Sequence, residues 1–110
     1  MPRQSDPSPP AQPAGIYVSF IQRENGPERL LCEAEVGFGA EYGPLAGMKL
    51  VGFSLWRSAD GENRVTLPSR AYGLGSDRRY FDLLRSAEGS PEPVKRVKKW
   101  ILDEYEKSMG

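Results

Sequence analysis

The sequence contains no histidine, a single cysteine and no long apolar run. Cys32 therefore has no disulfide partner within the chain and no histidine that could activate it as a nucleophile. No stretch approaches the roughly 18 apolar residues that a bilayer crossing requires. Metal-ligand spacing is absent and the acidic residues are scattered. We therefore expect no enzyme activity, no metal, no cofactor, no small-molecule substrate and no membrane contact.

The chain also lacks the charged start and apolar core of a signal peptide, which together with the single cysteine favours a reducing, cytoplasmic setting. It has no net charge, because 15 basic residues balance 15 acidic ones, and this argues against a simple polycation that coats any nucleic acid. The charges are unevenly distributed, since the segment from Lys49 to Lys99 holds 11 of the basic residues and only six of the acidic ones. The middle of the chain is therefore basic.

The first 15 residues differ in composition from the rest of the chain. Between Pro2 and Pro13 there are five prolines among serine, glutamine and aspartate, with almost nothing to bury. This composition predicts a disordered N-terminal tail over residues 1–15. The remaining residues, 16–110, are enough for one domain with a single core and too few for two.

Two stretches have the alternating pattern of β-hairpins. Residues 16–38 alternate around the turn-forming sequence Asn-Gly-Pro, and Cys32 falls in the apolar register, which predicts a buried structural thiol. Residues 50–70 alternate around an Asp-Gly turn, and Pro68 ends the second strand. The alternation assigns Val51, Phe53 and Leu55 to an apolar face. It leaves the other face of the sheet without an obvious cover, and the residues predicted there include Leu50, Trp56 and Leu31.

Between and after these hairpins the pattern is weaker. Glycines punctuate residues 37–47 without the Walker spacing of a phosphate-binding loop, which favours a flexible connection. The segment 80–84 fits either a short strand or one helical turn by propensity alone. Ser90 as N-cap and Pro91 at the first helical position predict a helix through about Ser108. Its apolar arc comprises Val94, Val97, Trp100, Ile101, Leu102, Tyr105 and Met109.

The charges on this helix are arranged against its macrodipole. The first half is basic and the second half, with Asp103, Glu104 and Glu106, is acidic, whereas the dipole favours the reverse. A basic cluster near exposed N–H groups suits phosphate, and a solvated face laced by pairs such as Asp103 with Lys107 is the alternative. Lys98 and Glu104 lie within the apolar sector, so they are expected at its rim or against a second chain.

The stretch VTLPSR, then a glycine-containing loop, SDRRYFDLL and a terminal helix ending in ILDEY resemble the SpoVG (septation protein) family of small bacterial nucleic-acid-binding regulators. The resemblance spans about Ile16 to Lys107. It implies a dimeric cytoplasmic DNA- or RNA-binding regulator linked to septation and cell division, and an extended segment 80–84 that returns to the sheet. Where the family commonly has two adjacent basic residues after Pro-Ser, this chain has Arg70 followed by Ala71.

We therefore expect an α+β domain, with an antiparallel sheet of four or five strands and one C-terminal helix. Its basic residues are predicted to hold phosphates, which position a nucleic acid without reading its sequence. They are Arg70, Arg78, Arg79, Lys95, Arg96, Lys98 and Lys99. Tyr72, Tyr80, Phe81 and Trp56 are candidates for base stacking, but strands bury aromatic residues more often than they expose them, so most are expected in the core and Tyr72, in a glycine-flanked loop, is the preferred candidate.

The competing interpretation is a protein-interaction or scaffold module that binds no nucleic acid. Zero net charge, the proline-rich tail and the uncovered sheet face favour it. Salt dependence separates the two interpretations, because phosphate contacts release counterions and a mostly apolar interface does not.

Overall fold

The computed structural model describes residues 13–109, so most of the predicted tail, residues 1–12, and Gly110 lie outside the described residues. The fold is α+β, as predicted. A four-stranded antiparallel sheet has the order β1-β2-β3-β4, a separate two-stranded ribbon is formed by β5 and β6, and one helix follows. The elements are β1 (Ile16–Ile21), β2 (Leu30–Phe38), β3 (Lys49–Arg57), β4 (Asn63–Thr66), β5 (Ser69–Tyr72), β6 (Arg79–Asp82) and α1 (Glu92–Met109).

The core lies between α1 and one face of the four-stranded sheet. Phe53, Leu55 and Ile101 are completely buried there, and each such side chain contributes about 1.5–3 kcal/mol relative to an exposed one. The ring of Tyr105 meets Phe20 of β1 edge to face, with centroids 5.4 Å apart. The first half of α1 reaches the end of β4. The helix therefore crosses the sheet from one edge strand to the other, and Cys32 is buried in the core as predicted.

A β-bulge in β3 changes which side chains face the core. Val36 pairs with Leu50 and Ala34 with Phe53, so β3 has one more residue than β2 over this interval. Gly52, at φ 110°, absorbs the extra residue. As a result Leu50 packs on the core and Val51 is exposed, the reverse of the alternation predicted from the sequence.

A second irregularity, at Leu31 of β2, turns that side chain towards the core as well. Of the three residues predicted on the uncovered face, Leu50, Trp56 and Leu31, only Trp56 remains there, and its indole N–H donates to the Thr66 hydroxyl at 3.0 Å. Two ion pairs also lie on this face. Their N–O distances are 2.9 Å for Arg23–Glu33 and 2.8 Å for Lys49–Glu35.

The connection after β2 is more ordered than a flexible loop. A short 3₁₀ segment spans Ala40–Leu45. At its start the N–H groups of Gly39, Ala40 and Glu41 donate to the carbonyl groups of residues 13–15, at 2.9–3.0 Å. The last three residues of the predicted tail are thus attached to the domain by backbone hydrogen bonds.

Segment 79–82 is a strand, as the resemblance implied, but it does not return to the main sheet. It pairs with β5. The chain leaves the main sheet at the buried Pro68, which has no N–H to continue a ladder and packs beside Gly52. The Leu83 N–H donates to the Pro68 carbonyl at 2.7 Å and closes the base of the ribbon.

Helix α1 begins at Glu92, two residues after the predicted N-cap, and the first of its bonds runs from the Lys95 N–H to the Pro91 carbonyl. Its apolar arc is confirmed except for Met109, which is exposed at the helix end. Within residues 13–109, no helix has the length and apolar character needed to cross a bilayer.

Candidate nucleic-acid interface

The register of the β5–β6 ribbon determines which side chains share a face. Directly paired residues in an antiparallel ladder point to the same side, and Arg70 pairs with Phe81 while Tyr72 pairs with Arg79. One face of the ribbon therefore presents two arginines and two aromatic rings. We call these four residues the basic-aromatic face.

The two rings of this face touch and remain accessible. The centroids of Tyr72 and Phe81 are 5.5 Å apart in an edge-to-face arrangement, and their exposed fractions are 50% and 40%. Tyr80, on the other side, is 65% exposed. The prediction that Tyr80 and Phe81 lie in the core is wrong, because the ribbon stands apart from the main sheet and has no helix over it. Tyr72 is exposed as predicted, but it is the last residue of strand β5 and does not lie in a loop.

The opposite face of the ribbon holds the third predicted arginine. The guanidinium carbon of Arg78 lies 5.7 Å from the centroid of the Tyr80 ring, which is within cation–π range. Arg78 is thus on the side away from Arg70 and Arg79. At the tip between the strands, Leu74 is 87% exposed.

An open cleft of about 530 Å³ lies between β6 and the start of α1. Phe81 of the basic-aromatic face lines it, together with Arg85 and Lys95. Arg85 was not predicted as a site residue, because it lies in an irregular segment without a motif. The sequence indicated it only as one of the basic residues in the middle of the chain. The cleft thus connects the ribbon to the first half of the helix.

The four basic residues of the helix occupy different environments. Lys95 and Arg96 are exposed, and Lys98 is half-buried at the rim of the apolar arc. Lys99 donates to the Asp103 carboxylate at 2.9 Å, and this hydrogen bond raises the pKa of Lys99. The pair suggested from the sequence, Asp103 with Lys107, is wrong, since Lys107 contacts Glu104 at 3.2 Å.

Within residues 13–109, ion pairs involve four basic residues, namely Arg23, Lys49, Lys99 and Lys107. In this described part of the chain, every basic residue from position 70 to position 98 is without an acidic partner. These residues are Arg70, Arg78, Arg79, Arg85, Lys95, Arg96 and Lys98. Six of the seven predicted phosphate contacts are therefore unpaired cations, and Lys99 is the exception.

Among the described residues, no cluster of side chains is arranged for acid–base catalysis or for metal binding in the way that the cations above are clustered. Burial raises the pKa of the Cys32 thiol, and the neighbouring Glu33 carboxylate adds to the shift, so the thiol stays protonated and unreactive at neutral pH. In the stretch 13–109, no group of three or more His, Cys, Asp or Glu side chains could hold a metal ion.

The structure thus brings Arg70, Tyr72 and Arg79 together with Phe81, and places Lys95 on the adjoining cleft with Arg85. Arg78 lies on the reverse of the ribbon. Arg96, Lys98 and Lys99 are not among the residues that line the cleft. No protein-family model matches this chain, and neither a curated protein nor a solved structure matches it.

Proposed function

We propose that this protein is a small, dimeric, cytoplasmic regulator that binds nucleic acid and carries out no catalysis, as its resemblance to SpoVG implies. The observation that carries the proposal is the run of unpaired cations from Arg70 to Lys98. Of the residues that the structure describes, the exposed Arg29, Arg57 and Arg64 also lack an ion pair. What distinguishes this segment is therefore the clustering of its cations: Arg70 and Arg79 share one ribbon face, and Arg85 and Lys95 line the adjoining cleft. The unpaired cations are available to phosphate groups.

The binding mode that this arrangement supports is electrostatic positioning. Exposed arginines and lysines displace the counterions of the phosphate backbone, and each contact adds about 0.7–0.9 to the dependence of log K on log salt. Arg70 and Arg79 on the ribbon and Lys95 on the cleft supply three such contacts on adjoining surfaces. They orient the ligand and carry no base specificity of their own.

The experiment that tests this function is fluorescence anisotropy with labelled 20-nucleotide DNA and RNA, single- and double-stranded, at four salt concentrations. We expect Arg70→Ala with Arg79→Ala to weaken binding and to make the salt dependence shallower by about 1.4–1.8, the equivalent of two phosphate contacts. Arg29→Ala with Arg64→Ala is the matched control, because it removes the same charge from exposed positions outside the ribbon and the cleft. Equal effects of the two double variants, or no binding by the parent, would refute the proposal.

Dimerisation is the second part of the proposal, and strand β1 supports it. β1 is an edge strand of the main sheet, and its sequence IYVSFI contains no charge, proline or glycine. Natural edge strands are normally protected by such residues, by shortness or by a cover. The other edge strand, β4, has only four residues and includes Arg64. A second copy of β1, related by a two-fold axis, would satisfy the exposed backbone groups.

Sedimentation equilibrium tests the dimer. Ser19 is exposed in the middle of β1, so Ser19→Lys places a charge on the edge without touching the core. We expect the parent to dimerise at tens of micromolar and the lysine variant to be monomeric, with Ser19→Thr as a control that retains strand propensity. A monomeric parent at that concentration, or a dimeric lysine variant, would exclude pairing through β1.

A protein-interaction module is the alternative function, and one observation favours it. Leu74 projects from the ribbon tip almost fully exposed, where nothing in the domain uses it. Under this alternative the protein would bind no oligonucleotide at low salt, and its partner would be retained when the salt concentration rises.

A further inference from the structure

We infer that the basic-aromatic face of the β5–β6 ribbon binds single-stranded nucleic acid by stacking unpaired bases on Tyr72 and Phe81. This inference rests on the proposed function and specifies the ligand: an extended strand whose phosphates contact Arg70 and Arg79 and whose bases lie against the two rings. Proteins that bind single strands combine these two elements, a cationic track and exposed aromatic side chains.

The geometry of the ribbon places these elements side by side. Residues two apart on a strand lie about 7 Å from each other on the same face, so each arginine lies next to an aromatic ring on both strands. The edge-to-face contact holds Tyr72 against Phe81 and leaves half of the tyrosine accessible. The face is therefore ordered before a ligand arrives, which lowers the entropic cost of binding.

A duplex fits this face less well. Two-stranded ribbons do enter the major groove, but there they read base edges through hydrogen-bonding side chains. Phe81 has no hydrogen-bonding group, and the bases of a duplex have no free ring face to offer either aromatic side chain. Exposed rings beside arginines suit bases that have left the stack.

A second copy of the same ribbon face is also disfavoured. By the pairing register, the acidic residue of the paired strands, Asp82, lies on the opposite side with Tyr80. Two copies packed through the basic-aromatic face would bring Arg70 and Arg79 against the same residues of the partner, without an acidic side chain from these strands between them. The charge of this face instead complements a polyanion.

The cleft gives the strand a continuation. Phe81 belongs to the face and also lines the cleft, whose charged lining residues are the cations Arg85 and Lys95 and one carboxylate, Asp82. A strand that stacks on the ribbon can thus extend towards the start of α1 and meet two more cations. This continuity explains why basic residues far apart in the sequence could serve one ligand.

The test uses three labelled probes of equal length on the parent protein: a 20-nucleotide thymidine strand, a duplex, and an abasic strand that retains only sugars and phosphates. We expect the thymidine strand to bind at least 10-fold more tightly than the abasic strand and more tightly than the duplex. Loss of stacking on one ring corresponds to a factor of about 5–150. This comparison requires no variant, so an unfolded mutant cannot obscure its result.

Two variants then locate the stacking. Tyr72→Leu with Phe81→Leu removes both rings and retains apolar bulk, and it should weaken binding of the thymidine strand at least 10-fold with an unchanged salt slope, because both arginines remain. Tyr80→Leu, on the opposite face, is the matched control and should bind as the parent does. Circular dichroism melting of each variant verifies that the domain is folded.

The contrary outcomes are distinct. Equal affinity for the thymidine and abasic strands, or tighter binding of the duplex, overturns the stacking inference and leaves the proposed function standing. No binding of any probe by the parent overturns both. If the leucine double variant changes the sedimentation of the protein rather than its binding, the face is an interface between protein chains and the inference is wrong.

Discussion

Replacing Lys95 and Arg96 with glutamate should separate the stability of helix α1 from its use as a binding surface. Both side chains are exposed, and neither has an ion pair in the described part of the chain. Acidic residues near the start of a helix interact favourably with its dipole. However, Glu92 lies three residues before position 95 and four before position 96, so its carboxylate repels both new charges. These effects oppose each other, so we expect the free energy of unfolding to change by no more than about 0.5 kcal/mol.

A change of that size moves the melting temperature of a domain of about 100 residues by roughly 2–4 °C. Binding should change much more. The phosphate contact of Lys95 is lost, which makes the salt slope shallower by about 0.7 on a single strand, and two repulsive charges are introduced, that at position 95 on the cleft itself. Thermal melting by circular dichroism and anisotropy titrations at several salt concentrations measure the two quantities on the same sample.

The third basic residue of this half-helix provides an internal comparison. Lys99 is bonded to Asp103, so adding Lys99→Glu breaks that pair and sets two carboxylates one turn apart. We expect the triple variant to melt below the double variant without a further loss of affinity. Arg29→Glu with Arg64→Glu controls for net charge. If Lys95→Glu with Arg96→Glu binds as tightly as the parent at equal salt, the helix is a solvated face and our reasoning fails.

Three further predictions concern the fold. Gly52→Ala should lower the unfolding free energy by about 1–3 kcal/mol, because its φ of 110° strains any side chain and the new Cβ lies 3.1 Å from Pro68. Gly61→Ala is the control for backbone strain alone, because Gly61 has a φ of 88° and its new Cβ meets no atom within 4 Å. Denaturant titrations measure both unfolding free energies. Deleting residues 2–12 should shift the melting temperature by less than the roughly 4 °C that 1 kcal/mol produces, and a larger drop would mean that the segment packs on the domain. Hydrogen bonds hold the pKa of Asp60 below its ordinary value, so its carboxylate stabilises the fold above about pH 4 and this contribution is lost as pH falls. Urea titrations should therefore show that the difference in unfolding free energy between the parent and Asp60→Asn becomes smaller at acid pH. A difference that stays constant with pH would contradict this prediction.

The four strands of the main sheet and the helix could be predicted because each depends on a local pattern, whereas β5 was expected as a loop and β6 was expected only from the resemblance. Alternation in residues 16–38 and 50–70 and the apolar arc of α1 correspond to elements that bury one face, and turn residues mark their ends. The burial of Cys32 followed from its register alone. The exchange of Leu50 and Val51 could not be predicted in this way, because a bulge is defined by the pairing of two strands and one extra residue reverses the alternation beyond it.

For the candidate site, too, some features followed from the sequence and others depended on the tertiary structure. The sequence by itself determined that the middle of the chain is basic, and it predicted Arg70, Arg79 and Lys95 among the phosphate contacts. Only the tertiary structure decided that β6 pairs with β5 away from the main sheet, which exposes Phe81 beside Tyr72 and brings the ribbon to the cleft at the start of the helix. The physical reason is that charge and periodicity are properties of a segment, whereas exposure depends on what the rest of the chain leaves uncovered.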